Sequence, residues 1–258
     1  MFVLFNNEFK SFAKNNVYLF LILNFVFKNL PHFFKKLLLP HEYDYFILKK
    51  IKNRKKISIL DIGGGYGESI ISFYKMSKNI EIDTYEPNLD NYKYCNRLKK
   101  IYSTLNVHNA AYGKFKKKKF LFIPKFKNFS FDNFSGFNKF DIQKNFRSIF
   151  KIRKIKFSKQ IIKFEKSIKK FDLIKIDCET NFYSVIKNVK SNLKKTTILM
   201  IENNEDSKKI LLFLKKINKN YQCYFFNNSK LIKYNLSNKK LNAQILNLIF
   251  IPKNNLTF

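Results

Sequence analysis

A chain of 258 residues with 45% hydrophobic side chains is long enough for one α/β domain with an N-terminal extension, and too apolar for global disorder. Its 51 Lys and Arg against 18 Asp and Glu give a net charge of +33, which alone reads as a footprint for polyanions. Only four of those cations are Arg (Arg54, Arg97, Arg147, Arg153), whereas phosphate and base recognition favour the guanidinium fork, and the abundance of Lys, Asn, Ile and Phe fits the drift of AT-rich codons.

Three widely spaced cysteines, Cys95, Cys178 and Cys223, offer no zinc-ligand pattern and read as reduced thiols of a cytoplasmic protein. Val17 to Phe27 (VYLFLILNFVF) is apolar but interrupted by Asn24, and too short for a spanning helix, which takes about 20 apolar residues. Lys10 and Lys14 precede it and no small-residue cleavage site follows, so a secretory signal is not expected. The run reads as a helix packing on the domain or on a second subunit. With Lys28, Lys35 and Lys36 beside it, residues 17–36 also read as a peripheral membrane contact. Pro31 and Pro40 punctuate this extension, giving a division into residues 1–40 and a main domain 41–258.

His41 to Ile51 (HEYDYFILKKI) predicts a helix. From Lys56 strands and helices alternate: a strand over Ile57 to Ile62, a helix over Glu68 to Met76, a strand over Ile80 to Tyr85 and a helix over Asn88 to Lys100 that Asn88 can cap. Leu105 to His108 predicts a third strand. Tyr112 to Lys170 is less regular, with the lysine run Lys116 to Lys119, many phenylalanines and one strand at Phe120 to Ile123. Then come a strand at Phe171 to Ile176, a helix at Phe182 to Leu193, a strand at Thr197 to Ile201 and a helix at Ser207 to Lys219. Tyr221 to Phe226 and Gln244 to Ile251 form a closing pair of strands. This alternation predicts a mostly parallel sheet with helices on both faces.

The run Asp61-Ile-Gly63-Gly-Gly65-Tyr-Gly67 follows a predicted strand and opens a predicted helix. Glycines there let the backbone turn sharply and approach a ligand. Glu86 stands 19 positions after Gly67, just past the second strand, where a doubly wound sheet places an acid for ribose hydroxyls. Dinucleotide folds use G-x-G-x-x-G, which leaves room for a pyrophosphate; the D-x-G-x-G-x-G spacing here differs from it.

That pattern resembles motif I of the class I methyltransferases. DIGGGYGESI (Asp61 to Ile70), YEPN (Tyr85 to Asn88), NAAYG (Asn109 to Gly113), DLIKIDCE (Asp172 to Glu179) and ILMIEN (Ile198 to Asn203) follow the order and spacing of the FkbM family. PHEYDYF (Pro40 to Phe46) and NLIFIPK (Asn247 to Lys253) resemble its leading helix and closing strand. The resemblance spans roughly residues 40 to 253. It implies a Rossmann-like sheet with an antiparallel closing strand, S-adenosylmethionine as methyl donor, and O-methylation of a small molecule or glycan. Asp61, Gly63, Gly65 and Gly67 would line the methionine side, Glu86 would hold the ribose, and Asn109 or its neighbours Ala110 and Ala111 would sit near the adenine. The family's VEG becomes CET here, and Thr180 in place of that glycine could reshape the turn beside the acceptor.

Transfer to a hydroxyl needs positioning and often a base. Asp177, Glu179 and Glu202 fall at carboxyl ends of predicted strands, where reacting groups gather in open α/β sheets. Asp177 and Glu179 are the candidate catalytic acids, while His41 and His108 are candidates by residue type only and Cys178 is expected in the core. No ligand set supports a metal site. The phenylalanines between Tyr112 and Lys170 read mostly as core, with a few lining an acceptor pocket. Two other readings stay open: an RNA methyltransferase, favoured by charge but lacking a [DN]-P-P-[YF] run, and a cofactor-fold scaffold without activity. Oligomeric state is open.

Overall fold

The computed structural model describes residues 26, 29–38, 40, 43–51, 56–114, 119–126, 129–150, 152, 154–178, 182–203, 206–236, 245 and 247–253. Most of the apolar run 17–27, together with His41, Lys116, Glu179, Thr180 and Gln244, lies outside them.

The first element is α1 (His32–Leu38), and the helix expected over His41 to Ile51 is a 3-10 helix at Tyr43–Lys50. It buries Asp44, Tyr45, Ile47 and Leu48 against the sheet. Then β1 (Ile57–Ile62), α2 (Glu68–Met76) and β2 (Ile80–Tyr85) take their expected bounds. The next helix, α3 (Leu89–Leu98), ends before Lys100, and Asn88 caps it by accepting from the Asp90 and Asn91 N–H groups. β3 is Leu105–His108.

The stretch expected to be irregular is built. It holds β4 (Ala111–Tyr112), β5 (Lys119–Phe126), β6 (Phe129–Ser130), α4 (Lys139–Phe150), β7 (Lys156–Ile162) and β8 (Phe164–Glu165). β6, β5 and β7 make a small antiparallel sheet, and β4 pairs with β8. Phe131, Ile142, Phe146 and Phe150 bury their side chains against one another in a separate aromatic core.

The main sheet resumes with β9 (Phe171–Ile176), α5 (Phe182–Val189) and β10 (Leu193–Glu202). The helix expected to run to Leu193 stops at Val189 and passes through a 3-10 turn at Lys190–Asn192. Buried Asn192 turns the chain: its amide donates to the Ser167 and Lys169 carbonyls at 2.8 and 2.7 Å and accepts from the Tyr112 hydroxyl at 2.7 Å. The strand expected at Thr197 therefore starts at Leu193. Last come α6 (Ser207–Ile217), β11 (Tyr221–Asn227), β12 (Lys230–Lys233) and β13 (Asn247–Pro252). The helix expected to reach Lys219 ends at Ile217.

The eight-stranded sheet runs β12-β11-β13-β10-β9-β1-β2-β3. From β3 to β10 the pairs are parallel, and β13 enters antiparallel between β10 and β11. The fold is thus the expected Rossmann-like α/β sheet with an antiparallel closing strand. Side chains alternate across it: Leu60, Ile62, Ile174 and Ile176 join α5 and α6 on one face, while Ile57, Ile59, Leu173 and Met200 join α2 and the 3-10 helix on the other. Both faces are covered, which accounts for the near-continuous apolar runs of β1 and β9.

Candidate functional site

The site forms where β1, β2 and β9 end. Gly63 takes φ +90° directly after β1, and a Cβ there would fall 1.8 Å from the Asp177 carbonyl oxygen. Only glycine lets β1 and β9 leave the sheet side by side, with the Asp177 N–H donating to the Ile62 carbonyl at 2.9 Å. Gly67, at φ +77°, opens α2 where a Cβ would press on the Leu98 side chain at 2.6 Å.

Asp61 lies beneath the loop, fully buried. Its Oδ2 accepts from the Ser69 and Thr84 hydroxyls at 2.7 and 2.8 Å, so the acid ties α2 and β2 to β1. Its Oδ1 is buried without a hydrogen-bond partner, and the nearest cation is the Lys175 ammonium at 3.8 Å. Burial pushes the Asp61 carboxyl above the usual carboxylate range, with Lys175 pulling the other way. Lys175 is itself buried in β9 and donates to Asp177 Oδ2 at 2.8 Å. Asp177 is exposed to the cavity, its side chain 57% accessible. A buried ammonium in the middle of the apolar strand FDLIKI was the signal for Lys175, which sequence reasoning missed amid so many lysines.

Glu86 is buried at the end of β2. One carboxylate oxygen accepts from the Gly65 N–H at 2.9 Å and the other from the Asn88 N–H at 2.8 Å, so the acid expected to meet a ribose also ties down the glycine loop. Burial pushes its pKa up to about 7, against the two N–H donors. Asn109 directs its amide to the carbonyls of Glu86 and Pro87, at 3.1 and 3.3 Å, and holds the loop in which Glu86 sits.

These parts open into a cavity of about 760 Å³ lined by Gly63, Gly65, Glu86, Lys175 and Asp177. Asp61, Gly67 and Asn109 support it from behind. The β5–β7 insertion roofs it and is tied to the loop after β2. The Gln160 amide donates to the Pro87 carbonyl at 2.8 Å and its oxygen accepts the Leu89 N–H at 3.1 Å. The Tyr66 hydroxyl donates to Asp132 at 3.3 Å and the Asn88 amide to the Ser135 hydroxyl at 3.1 Å. Asp132, Phe137, Asn138 and Asp141 thereby join the lining, none of them foreseen as site residues. Phe137 and Phe164 stack with centroids 5.8 Å apart.

Among the other candidates, His108 stacks on Tyr85 at 4.3 Å and faces Glu165, outside the lining. Glu202 is exposed at the end of β10, also outside it. Cys178 is half-buried, packs against the core and reaches the cavity edge.

No family model and no curated protein matches the chain by sequence. Solved structures it is similar to include precorrin-6y C5,15-methyltransferase from Geobacter metallireducens GS-15, at 12% identity over 79% of this chain and 84% of that one, with a TM-score of 0.41. Another is the plantazolicin methyltransferase BpumL in complex with a monoazolic desmethylPZN analog and SAH, at 12% identity, 90% and 88% coverage and a TM-score of 0.46. A third is the Methanococcus jannaschii fibrillarin pre-rRNA processing protein, at 13% identity, 81% and 73% coverage and a TM-score of 0.38.

Proposed function

We propose that the protein is an S-adenosylmethionine-dependent methyltransferase of FkbM type that methylates a hydroxyl of a sugar or other small molecule in the cytoplasm. The observation that carries the reading is the charge of the cavity. In a chain with 51 basic and 18 acidic residues, the lining holds the carboxyl groups of Glu68, Glu86, Asp132, Asp141 and Asp177 against the ammoniums of Lys119 and Lys175. A pyrophosphate or an RNA backbone is repelled there, whereas a ligand carrying sulfonium and α-ammonium charges is attracted.

The buried residues fit such a cofactor. Asp61 keeps one carboxylate oxygen without a donor below the glycine loop, and Glu86 keeps acceptor capacity beyond its Gly65, Asn88 and Asn91 donors, which suits ribose hydroxyls. A cofactor held there by Asp61 and Glu86 would supply an electrophilic methyl group. The protein's own work is to hold the acceptor hydroxyl in line and accept its proton. Asp177 and Asp132 both present carboxylates to the cavity for that proton. The Phe137 and Phe164 faces beside Asn138 and Asn188 suit a sugar ring, which packs on aromatics and hydrogen-bonds at its edge.

Calorimetric titration with S-adenosylmethionine tests the reading. Wild type binds it, Glu86→Ala loses most of that affinity, and NADH does not bind. A folded wild type that ignores S-adenosylmethionine overturns the proposal and leaves a scaffold role.

A further inference from the structure

Helix α1 is built inside out. Its inward face is polar: His32 Nε2 meets the Tyr102 hydroxyl at 2.8 Å, and the Lys35 ammonium lies over the Tyr94 ring, 3.9 Å from its centroid, with Lys35 only 1% exposed. Burial lowers the Lys35 pKa to about 8, a cost partly offset by the ring face and by Glu68. Its outward face is apolar, with Phe33 65%, Phe34 51% and Leu37 61% exposed. Positions 33, 34 and 37 span about 100° of a helix with 3.6 residues per turn, so the three side chains form one patch. A helix packed only to bury apolar surface would sit the other way round. Two polar anchors, buried Lys35 and half-buried His32, instead hold it with that patch toward solvent.

We propose that this patch docks on an anionic lipid surface. Its rim is cationic: Lys36 is exposed on α1, and the Lys75 ammonium from α2 reaches the Leu37 carbonyl at 3.4 Å. Burial, and then the Lys36 charge beside it, lower the pKa of Lys75. Between residues 1 and 41 the sequence has five lysines and a single acid, Glu8, and the apolar run Val17 to Phe27 leads toward α1. Aromatic and aliphatic side chains at the acyl boundary with lysines at the headgroups is the pattern of a helix lying in a membrane interface. A second copy of the chain is a poor occupant. A symmetric contact would bring Lys36 and Lys75 of both copies together, between bodies carrying +33 each. Nucleic acid would meet the lysines but leave the apolar patch without a partner. Val26, 50% exposed before α1, adds to the apolar surface available. Among the described residues no helix is long and apolar enough to cross a membrane, and a surface contact needs none.

The test uses full-length protein and vesicles of phosphatidylcholine with or without phosphatidylglycerol. Wild type partitions onto the anionic vesicles, and part of that binding survives about 0.5 M salt, where Coulombic attraction is screened within a few ångström. The variant Phe33→Ser, Phe34→Ser, Leu37→Ser loses about tenfold or more in partitioning and keeps only a salt-sensitive remainder. Phe140→Ser with Ile161→Ser, two exposed positions on the insertion, changes nothing. Because the chain has no Trp, Phe34→Trp supplies a single emitter that needs no loss of packing. Its emission shifts blue on anionic vesicles and is quenched by acyl-brominated lipid. Equal partitioning of wild type and the triple variant, or an unshifted and unquenched Phe34→Trp, overturns the proposal. So does a wild-type dimer, broken by the triple variant, that does not bind vesicles. S-adenosylmethionine binding is the same in all these variants, so the outcome stands apart from the cofactor reading.

Discussion

Lys175 stands opposite Asp61 in the register of β1 and β9, and its ammonium is 3.8 Å from the Asp61 oxygen that no hydrogen bond reaches. The same ammonium donates to Asp177 at the cavity surface. One buried cation therefore joins the acid under the glycine loop to the acid facing the acceptor space.

Removing that cation strands a buried carboxylate. Lys175→Met should cost about 3 kcal/mol at neutral pH, the penalty for breaking a buried pair. The loss should shrink as pH falls, because Asp61, already raised by burial, then takes up a proton. Adding Asp61→Asn to Lys175→Met should recover part of the stability. Urea unfolding of the double-mutant cycle measures the coupling, and strict additivity would refute it.

Glu86 gives a pH signature of its own. Its pKa is raised from 4.5 to about 7, so the folded state binds the extra proton and the stability linked to it is lost as pH rises through that window. The group should contribute about 3 kcal/mol less above pH 7 than below 4.5, at about 1.4 kcal/mol per unit. Cofactor affinity should move the opposite way, rising about tenfold from pH 5.5 to 8 as an ionised acceptor replaces a neutral one. Glu86→Gln should flatten both profiles, by melting temperature and calorimetry.

Two glycines of one loop should respond differently to alanine. Gly63→Ala drives a Cβ into backbone at 1.8 Å, whereas Gly67→Ala meets the end of a flexible Leu98 at 2.6 Å. Gly63→Ala should cost more than about 3 kcal/mol and abolish cofactor binding, and Gly67→Ala about 1–2 kcal/mol with weakened binding. Chemical denaturation ranks them, and the reverse order would be inconsistent with the loop geometry.

Gln160 is a tether rather than a core residue. Gln160→Ala should raise hydrogen exchange in β5 and β7 while leaving that of β1 and β9 unchanged, since it removes two bonds between the insertion and the loop after β2. Unaltered exchange in the insertion would show that the aromatic core and the Tyr66–Asp132 and Asn88–Ser135 bonds hold it down without Gln160.

The glycine loop, its leading strand and Glu86 could be read from the chain because each follows from local chemistry: an apolar run, a cluster of small residues, an acid at set spacing. Lys175 was passed over among so many lysines, although its place in the apolar strand FDLIKI set it apart. Helix α4 was hidden the same way. Ile142, Phe146 and Phe150 recur every four residues, as a helix face requires, but phenylalanines are so frequent here that the period sank into its background. The roles of Asp132 and Gln160 arise only when the insertion folds back over the sheet, a long-range contact that spacing along the chain does not encode.

The position of β13 sets the timetable of synthesis. It separates β10 from β11, two strands made before it, and bonds to both along Asn247–Pro252. Until those residues leave the ribosome, β10 and β11 have no strand to join them and each offers an open edge to other chains. A nascent polypeptide stalled before Asn247 would already carry the glycine loop and both candidate acids, yet its sheet would be split. Completion of the sheet thus waits for β13, long after the glycine loop has been made.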